Sequence, residues 1–318
     1  MFARSLLMAA GLALAFAAPA NADWPEKPVR IIVPYAPGGS GDNTARAYQD
    51  KLSEKFGQQF VIENRGGAAG AIGIEAASKA EGDGYTFLQT PMGGLVILPH
   101  LRNVPYDPFE DFKPVSRTAE TVAAMAVHPS LGVNTVKEFI ALAKEKPGEI
   151  FFGSAGQGTI TQMRGEVLKD VAGIDIVHVP YRGSGEALND LLAGHVQVNF
   201  EGNVLPHGKA GTLKLLAFIS DERHPDFPDV PTMKEAGLEN YEAPSWHGML
   251  APKGTPDDII KKLSDALIEI SQTPEVKKRL IDVGLMARGE TPEQMGAVMK
   301  QHYDLFGDLI KRLDIKIQ

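Results

Sequence analysis

The chain of 318 residues contains no cysteine. That excludes disulfides, thiol nucleophiles, cysteine–zinc sites and iron–sulfur clusters. A small exported domain usually needs disulfides, so an exported chain without them must bury a core that stands alone. About 300 residues can do so, and by size they make two domains. Positive charge is not in excess either: 32 Lys and Arg against 40 Asp and Glu leave a formal charge of -8. Nucleic acid, which requires a basic face, is thereby excluded as a partner. An anionic small molecule is not, because backbone dipoles override the net field at short range. Beyond residue 22 no apolar run approaches the roughly 20 residues of a membrane span.

The strings of several chemistries are also missing. There is no G-x-S-x-G elbow, no G-x-x-x-x-G-K-S/T loop and no H-E-x-x-H pair. Gly67, Gly70 and Gly73 lack the dinucleotide spacing, as do Gly153, Gly156 and Gly158. The histidines are dispersed. His100, His128, His178, His207 and His224 stand beside prolines or in strands and read as packing or surface groups. The expectation is a binding protein with no catalytic residue, no metal and no cofactor.

What is present begins with a leader. Arg4 precedes an apolar run, Leu6 to Ala18, ending at Ala20-Asn21-Ala22, the pattern of a secretory signal cleaved after Ala22. The product is expected in the periplasm. After the leader, β-branched runs alternate with helical patterns, the signature of an α/β fold. Strands are predicted at 29–33, 60–62 and 85–88, with helices from Asn43 to Phe56 and over 71–80. A second set follows, with strands at 123–127, 150–152, 176–179, 196–200 and 213–219 and helices over 136–146, 159–171 and 185–193. Thr135 with Glu138, and Thr232 with Glu235, have capping-box spacing, so a short helix is expected after Thr232. Thr-Pro-acid recurs at Thr255, Thr273 and Thr291 and predicts three C-terminal helices that pack back onto the first set. The expected domains are 23–122 plus 250–318 and 123–249. The chain would cross between them near Ala123 and again at 247–251, forming a hinge.

Three glycine-rich loops each join a predicted strand to a helix: Pro34 to Asp42, Gly153 to Thr159 and Pro180 to Gly185. Glycines let N–H groups face a ligand, and a helix start leaves donors unpaired beside a partial positive charge. Such an end binds anions without a basic side chain, and in α/β sheets ligands sit outside the carboxyl ends of strands. The candidate binding residues are Tyr35, Pro37, Gly38, Gly39, Ser40, Asp42, Thr90, Ser154, Ala155, Gly156, Gly158, Thr159, Tyr181, Arg182, Gly183 and Glu201. Several have two readings. Asp42 caps its helix or meets the ligand, and Ser154 and Thr159 cap or donate to a carboxylate. Arg182 pairs bidentately with a carboxylate or lies on the surface. Trp246 packs in the core or walls the cleft. Glu201 faces the cleft, where it disfavours a second carboxylate, or faces solvent.

These residues lie in segments that resemble a known family. WPEKPVRIIVPYAPGGSGDNTAR looks like an opening in which a strand runs into P-F/Y-x-P-G-G-x-x-D. IENRGGAAGAIG, DGYT, GSAGQGT, HVPYRGSGEALNDLLAGHV, DVPTMKEAG and WHGMLAPKGTP follow in the family's order. The set resembles the tripartite tricarboxylate transporter solute receptors, or Bug proteins, over essentially the whole chain after the leader. The resemblance implies a monomeric, two-lobed, hinged periplasmic-binding-protein fold of type II. It implies a small carboxylate held largely by main-chain groups, with Tyr35 to Asp42 and Ser154 to Thr159 gripping from opposite lobes. The ligand would be a mono-, di- or tricarboxylate, an aromatic acid or an amino acid. The implied partners are one large and one small integral membrane permease subunit. Gln162 and Met163 stand where the family often has histidine and leucine, and the run after Glu201 is shorter, so specificity does not carry over. A sensory adaptor of the same fold, or an exported enzyme, are the competing readings.

Overall fold

The computed structural model describes residues 24–220 and 222–316, so the expected leader and its cleavage after Ala22 lie outside the described residues. The chain opens with β1 (Val29–Val33), α1 (Ser40–Phe56), β2 (Phe60–Asn64), α2 (Ala71–Ser78) and β3 (Thr86–Pro91). Two single-turn helices, α3 (Gly93–Val96) and α4 (Leu98–Leu101), lead to β4 (Phe112–Thr121). The next stretch holds β5 (Ala123–Val127), α5 (Val136–Glu145), β6 (Phe151–Ser154), α6 (Ile160–Ala172) and β7 (Val177–Pro180). It continues through α7 (Ser184–Ala193), β8 (Val198–Glu201), α8 (Leu205–Lys209) and β9 (Lys214–Ile219). The last stretch is β10 (Trp246–Pro252), α9 (Asp257–Ser271), α10 (Pro274–Ile281), β11 (Leu285–Ala287) and α11 (Pro292–Arg312).

The strands form two sheets, a six-stranded one ordered β11-β4-β10-β3-β1-β2 and a five-stranded one ordered β7-β6-β8-β5-β9. The α/β alternation read from the pattern is present, with boundaries shifted by a few residues. Two central strands of the first sheet are not evident in the sequence. FKPVSRTAET, which forms β4, lacks a clean period, and its Pro114 has no N–H to donate. The proline is accommodated because it pairs with Leu250 beside a register shift at Met249/Leu250.

The second strand missed is β10, which corrects the expected crossing. His247 to Ala251 were read as a passage between domains, yet they pair with β3 on one side and β4 on the other. The segment before them still belongs with the second sheet: Phe218 bridges Thr232, and the Met233 N–H donates to the Phe218 carbonyl. The chain therefore returns to the first sheet just ahead of Trp246.

The three C-terminal helices form where expected, and α9 and α11 pack on β4. Thr273 and Thr291 cap α10 and α11, the latter in a full capping box with Gln294. Thr255 does not cap α9; its hydroxyl donates to the Pro252 carbonyl, and Pro256 takes the cap position. Thr232 and Glu235 do form a reciprocal box, but it closes a turn rather than the expected helix. One apolar cluster, with Trp24, Tyr48, Leu52, Met249 and Leu263, lies between the first sheet and α1, α9 and α10. A larger one runs through both sheets, joining Ile74 and Leu95 to Phe152, Met163, Trp246 and Phe306.

Close backbone approaches hold this packing together. A Cβ on Gly82 would lie 2.3 Å from the Gly254 Cα, so neither chain segment has room to yield. Gly82→Ala is expected to cost about 3 kcal/mol, as overpacking against rigid backbone does. Urea denaturation measures it, and an unchanged midpoint would show that this contact is not tight.

Candidate functional site

Of the three glycine loops, the one entering α1 is the most open. Ala36 to Ser40 are exposed, and Gly38 has φ +83°, a left-handed conformation that favours glycine. The helix begins at Ser40 with Gly39 at its N-cap, and no side chain caps it. Among the described residues, the N–H groups of Ser40, Gly41 and Asp42 meet no acceptor. Asp42 is therefore not the N-cap. It sits in the first turn, is 1 % exposed, and organises the loop through its carboxylate. Its carboxylate accepts from the Gly38 N–H (2.8 Å), Arg46 Nε (2.8 Å) and Asn64 Nδ2 (3.0 Å). Burial alone would raise its pKa; Arg46 and the bonds from Gly38 and Asn64 outweigh it and hold the carboxyl below its usual range. Tyr35 faces the loop after β2, donating its hydroxyl to the Ala69 carbonyl at 3.2 Å. Pro37 is exposed on the outer surface of the turn.

The loop entering α6 satisfies much of its own backbone. The Ala155 N–H donates to Thr161 Oγ1 (2.9 Å), Gly156 to Ser154 Oγ (3.1 Å) and Gly158 to Gln162 Oε1 (2.8 Å). Thr159 is the N-cap and accepts from the Gln162 N–H. What remains of the helix end, among the described residues, is the N–H pair of Ile160 and Thr161. Ser154 is fully buried, with Oγ 2.6 Å from His178 Nε2. Gly156 and Gly158 have φ of +129° and +75°.

At α7 the helix start already has a carboxylate beside it. Ser184, its first residue, donates to Glu201 Oε1 at 2.7 Å, and Glu201 is 9 % exposed. Glu201 thus does not face open solvent. Burial pushes its pKa up, and Ser184 and the charge of Arg164 hold it only partly back. Tyr181 donates to Asp190 Oδ2 (2.6 Å), Gly183 is the N-cap, and Arg182 is exposed with its N–H on Glu186.

Strand direction relates these loops to one another. In the first sheet β1, β2 and β3 are parallel and β4 runs the same way, so their carboxyl ends share one edge. In the second, β6, β7 and β8 are parallel, and the start of β5 lies beside the end of β8, with Ala124 opposite Glu201. A single residue, Val122, joins the end of β4 to the start of β5. The two carboxyl edges therefore abut at that strand. Backbone seals the junction: the Val122 N–H donates to the Gly284 carbonyl at 2.9 Å, and a Cβ on Gly202 would lie 2.7 Å from the Val122 carbonyl.

Residues 44–315 match the model of the tripartite tricarboxylate transporter family receptor. The chain belongs to that family. Protein BugT of Bordetella pertussis is 34% identical over 310 residues, covering 95% of this chain and 94% of that one. A Rhodopseudomonas palustris protein solved with adipate is 32% identical with a TM-score of 0.84, over 92% of this chain and 99% of that one. MatC from Rhodopseudomonas palustris, solved with bound malate, is 28% identical with a TM-score of 0.79, over 90% of this chain and 100% of that one. The two sheets flanked by helices are thus the two-lobed periplasmic-binding-protein fold. The family and these neighbours are binding proteins.

In this receptor a buried polar thread runs from the α1 loop to the junction. Thr44 Oγ1 donates to the Ser40 carbonyl (2.8 Å) and lies 3.0 Å from His247 Nδ1. His247 Nε2 is 3.5 Å from Thr121 Oγ1, which is 3.1 Å from Ser245 Oγ. Because the Thr44 proton is already given to Ser40, the network assigns the His247 proton to Nδ1. Thr90, a candidate contact, is fully buried within β3 and donates to the Pro91 carbonyl. Trp246 is a core residue, 1 % exposed, donating to His302 Nδ1 at 2.9 Å. Two cavities, of about 500 and 640 Å³, lie elsewhere; one includes Pro129 and Phe227, the other Lys277 and Met286, and neither includes a residue of the glycine loops.

Sequence reasoning missed Arg164 and the role of Gln162. Arg164 is 1 % exposed on α6. The signal was available, since it interrupts the apolar stripe Ile160, Met163, Val167, Leu168. Gln162, which stands where the family often has histidine, accepts the Gly158 N–H through its Oε1 at 2.8 Å.

Proposed function

We propose that this receptor captures a small organic carboxylate between its lobes in the periplasm and performs no chemistry on it. It would then deliver the ligand to the large and small membrane subunits of a tripartite tricarboxylate-type transporter. The first lobe is read as residues 24–122 with 246–316 and the second as 123–243, hinged at Val122 and at 244–245. One observation carries the reading: three N–H groups at the start of α1 that no side chain caps, beside an exposed glycine turn. A helix of 17 residues places a partial positive charge there, and such an end takes an anion. The second lobe offers the shorter donor pair at α6 and adds Thr159. The adipate and malate of the two R. palustris relatives support the same ligand class for this chain.

A thermal-shift screen of the chain without its leader tests this, run over mono- and dicarboxylates, aromatic acids and amino acids. At one hundred times Kd a ligand that binds only the folded state adds about 2.7 kcal/mol, or roughly 5 °C. An absence of shift with every acid would refute capture, and turnover of any of them would refute the passive role.

A further inference from the structure

Arg164 stands apart from every other charged group of the second lobe. Its Nη1 donates to the Phe200 carbonyl at 2.9 Å, but Nε and Nη2 are buried and donate to nothing among the described residues. A buried cation with unused donors is costly unless an anion reaches it. The two carboxylates that act on it electrostatically are Glu201 and Glu120. Neither is within ion-pairing distance among the described residues, and both have other partners. Glu201 accepts from Ser184, and Glu120 accepts from Arg288 at 2.8 Å (Nε) and 2.5 Å (Nη2). Burial works against the charge, yet a guanidinium keeps its proton.

Its position is as informative as its lack of partners. Phe200 is the penultimate residue of β8, so the guanidinium lies at the carboxyl edge of the second sheet. The Tyr241 hydroxyl, from the segment leading back to the first lobe, donates to the Arg164 carbonyl at 3.0 Å. Arg164 follows the α6 N-cap, Thr159, by five residues, which is about 7.5 Å along the axis. Side chains lean toward the start of their helix, so Arg164 leans back toward the α6 loop, the second lobe's part of the proposed site.

We propose that Arg164 receives a second anionic group at the far end of the ligand, making this protein a receptor for dicarboxylates in preference to monocarboxylates. The inference rests on the carboxylate reading above. A planar fork with Nε and Nη2 free suits a carboxylate bidentately. Glu201, held by Ser184 near by, sets a limit on how much further negative charge the site accepts.

Calorimetry with matched pairs tests it: succinate against butyrate, glutarate against valerate, adipate against hexanoate. The wild-type protein is expected to bind the best dicarboxylate about 10- to 100-fold tighter than its monocarboxylate partner. Arg164→Met, which keeps the volume, should erase that preference while leaving monocarboxylate affinity within about threefold. Arg164→Lys, which keeps the charge and loses the fork, should fall between them. Equal binding of the two acids by the wild type, or an undiminished preference in Arg164→Met, overturns the proposal and leaves carboxylate capture standing. Binding of no acid overturns both. If Arg164→Met fails to fold, the wild-type pairs and Arg164→Lys still decide, because an unchanged preference in the lysine variant also counts against the fork.

Discussion

A Gly39→Leu variant is expected to keep its fold and lose its ligand. Gly39 has φ -75° and ψ 170°, a conformation open to any residue, and a Cβ there meets nothing nearer than the Ala36 carbonyl at 3.5 Å. The change should cost no more than about 1 kcal/mol of stability, the scale of an N-cap replacement. The isobutyl group would, however, cover the free N–H groups of Ser40, Gly41 and Asp42. Removing two charge-assisted bonds to a carboxylate is worth about 4 kcal/mol, or roughly 1,000-fold in Kd. Gly38 and Gly156 are poorer tests. Their φ values of +83° and +129° strain any side chain, and a Cβ on Gly156 also meets the Tyr181 carbonyl at 3.1 Å, so stability and binding would fall together. Calorimetry on a folded Gly39→Leu protein is the clean measurement. Affinity equal to wild type would remove the α1 loop from the site.

Acid should unfold the receptor well before its carboxylates titrate. Burial lowers His247 to about 3, and burial with Arg117 beside it lowers His302 to about 4. Burial, followed by the charge of Lys169, takes His178 to about 4. Local bonding agrees with the direction: His302 Nδ1 accepts from Trp246, and the network gives His247 only the Nδ1 proton. In the unfolded chain each imidazole takes up a proton near pH 6.5. The folded values are depressed, so this stability is complete above about 6.5 and is lost as pH falls. Between pH 7.5 and 5 the buried His247 and His302 each remove about 2 kcal/mol, and His178, partly screened by solvent, adds less, for a total of roughly 5 kcal/mol. That is comparable to the whole stability of many domains. Glu201 opposes the trend, since its raised pKa favours the folded state as pH drops. Asp42 adds to the loss only below about pH 4, as its lowered pKa requires. Urea midpoints at pH 7.5, 6 and 5 measure the slope. A flat profile over that range would mean that the three imidazoles are not held neutral.

The glycine loops, the helices after them and the Thr-Pro caps at Thr273 and Thr291 were legible because each is local: a few adjacent residues state the backbone they need. The strands β4 and β10 were not, because Pro114 and the register shift opposite it make sense only once Met249 and Leu250 lie alongside. Asp42 shows the same divide within one loop. Its place beside PGGSG marked a helix start, but its role depends on Asn64 arriving from the next strand and Arg46 from one turn further on.

Local sequence thus determined an α/β chain with anion-ready helix starts, since dihedral preference, capping and periodicity act over neighbouring residues. Tertiary structure decided which of those starts stays open. The α1 end is uncapped, the α6 end is partly closed by Ser154, Thr161 and Gln162, and the α7 end sits against Glu201. It also left Arg164 buried with two donors unused. Whether a donor is free depends on acceptors brought from elsewhere in the chain, and only the packed fold supplies or withholds them.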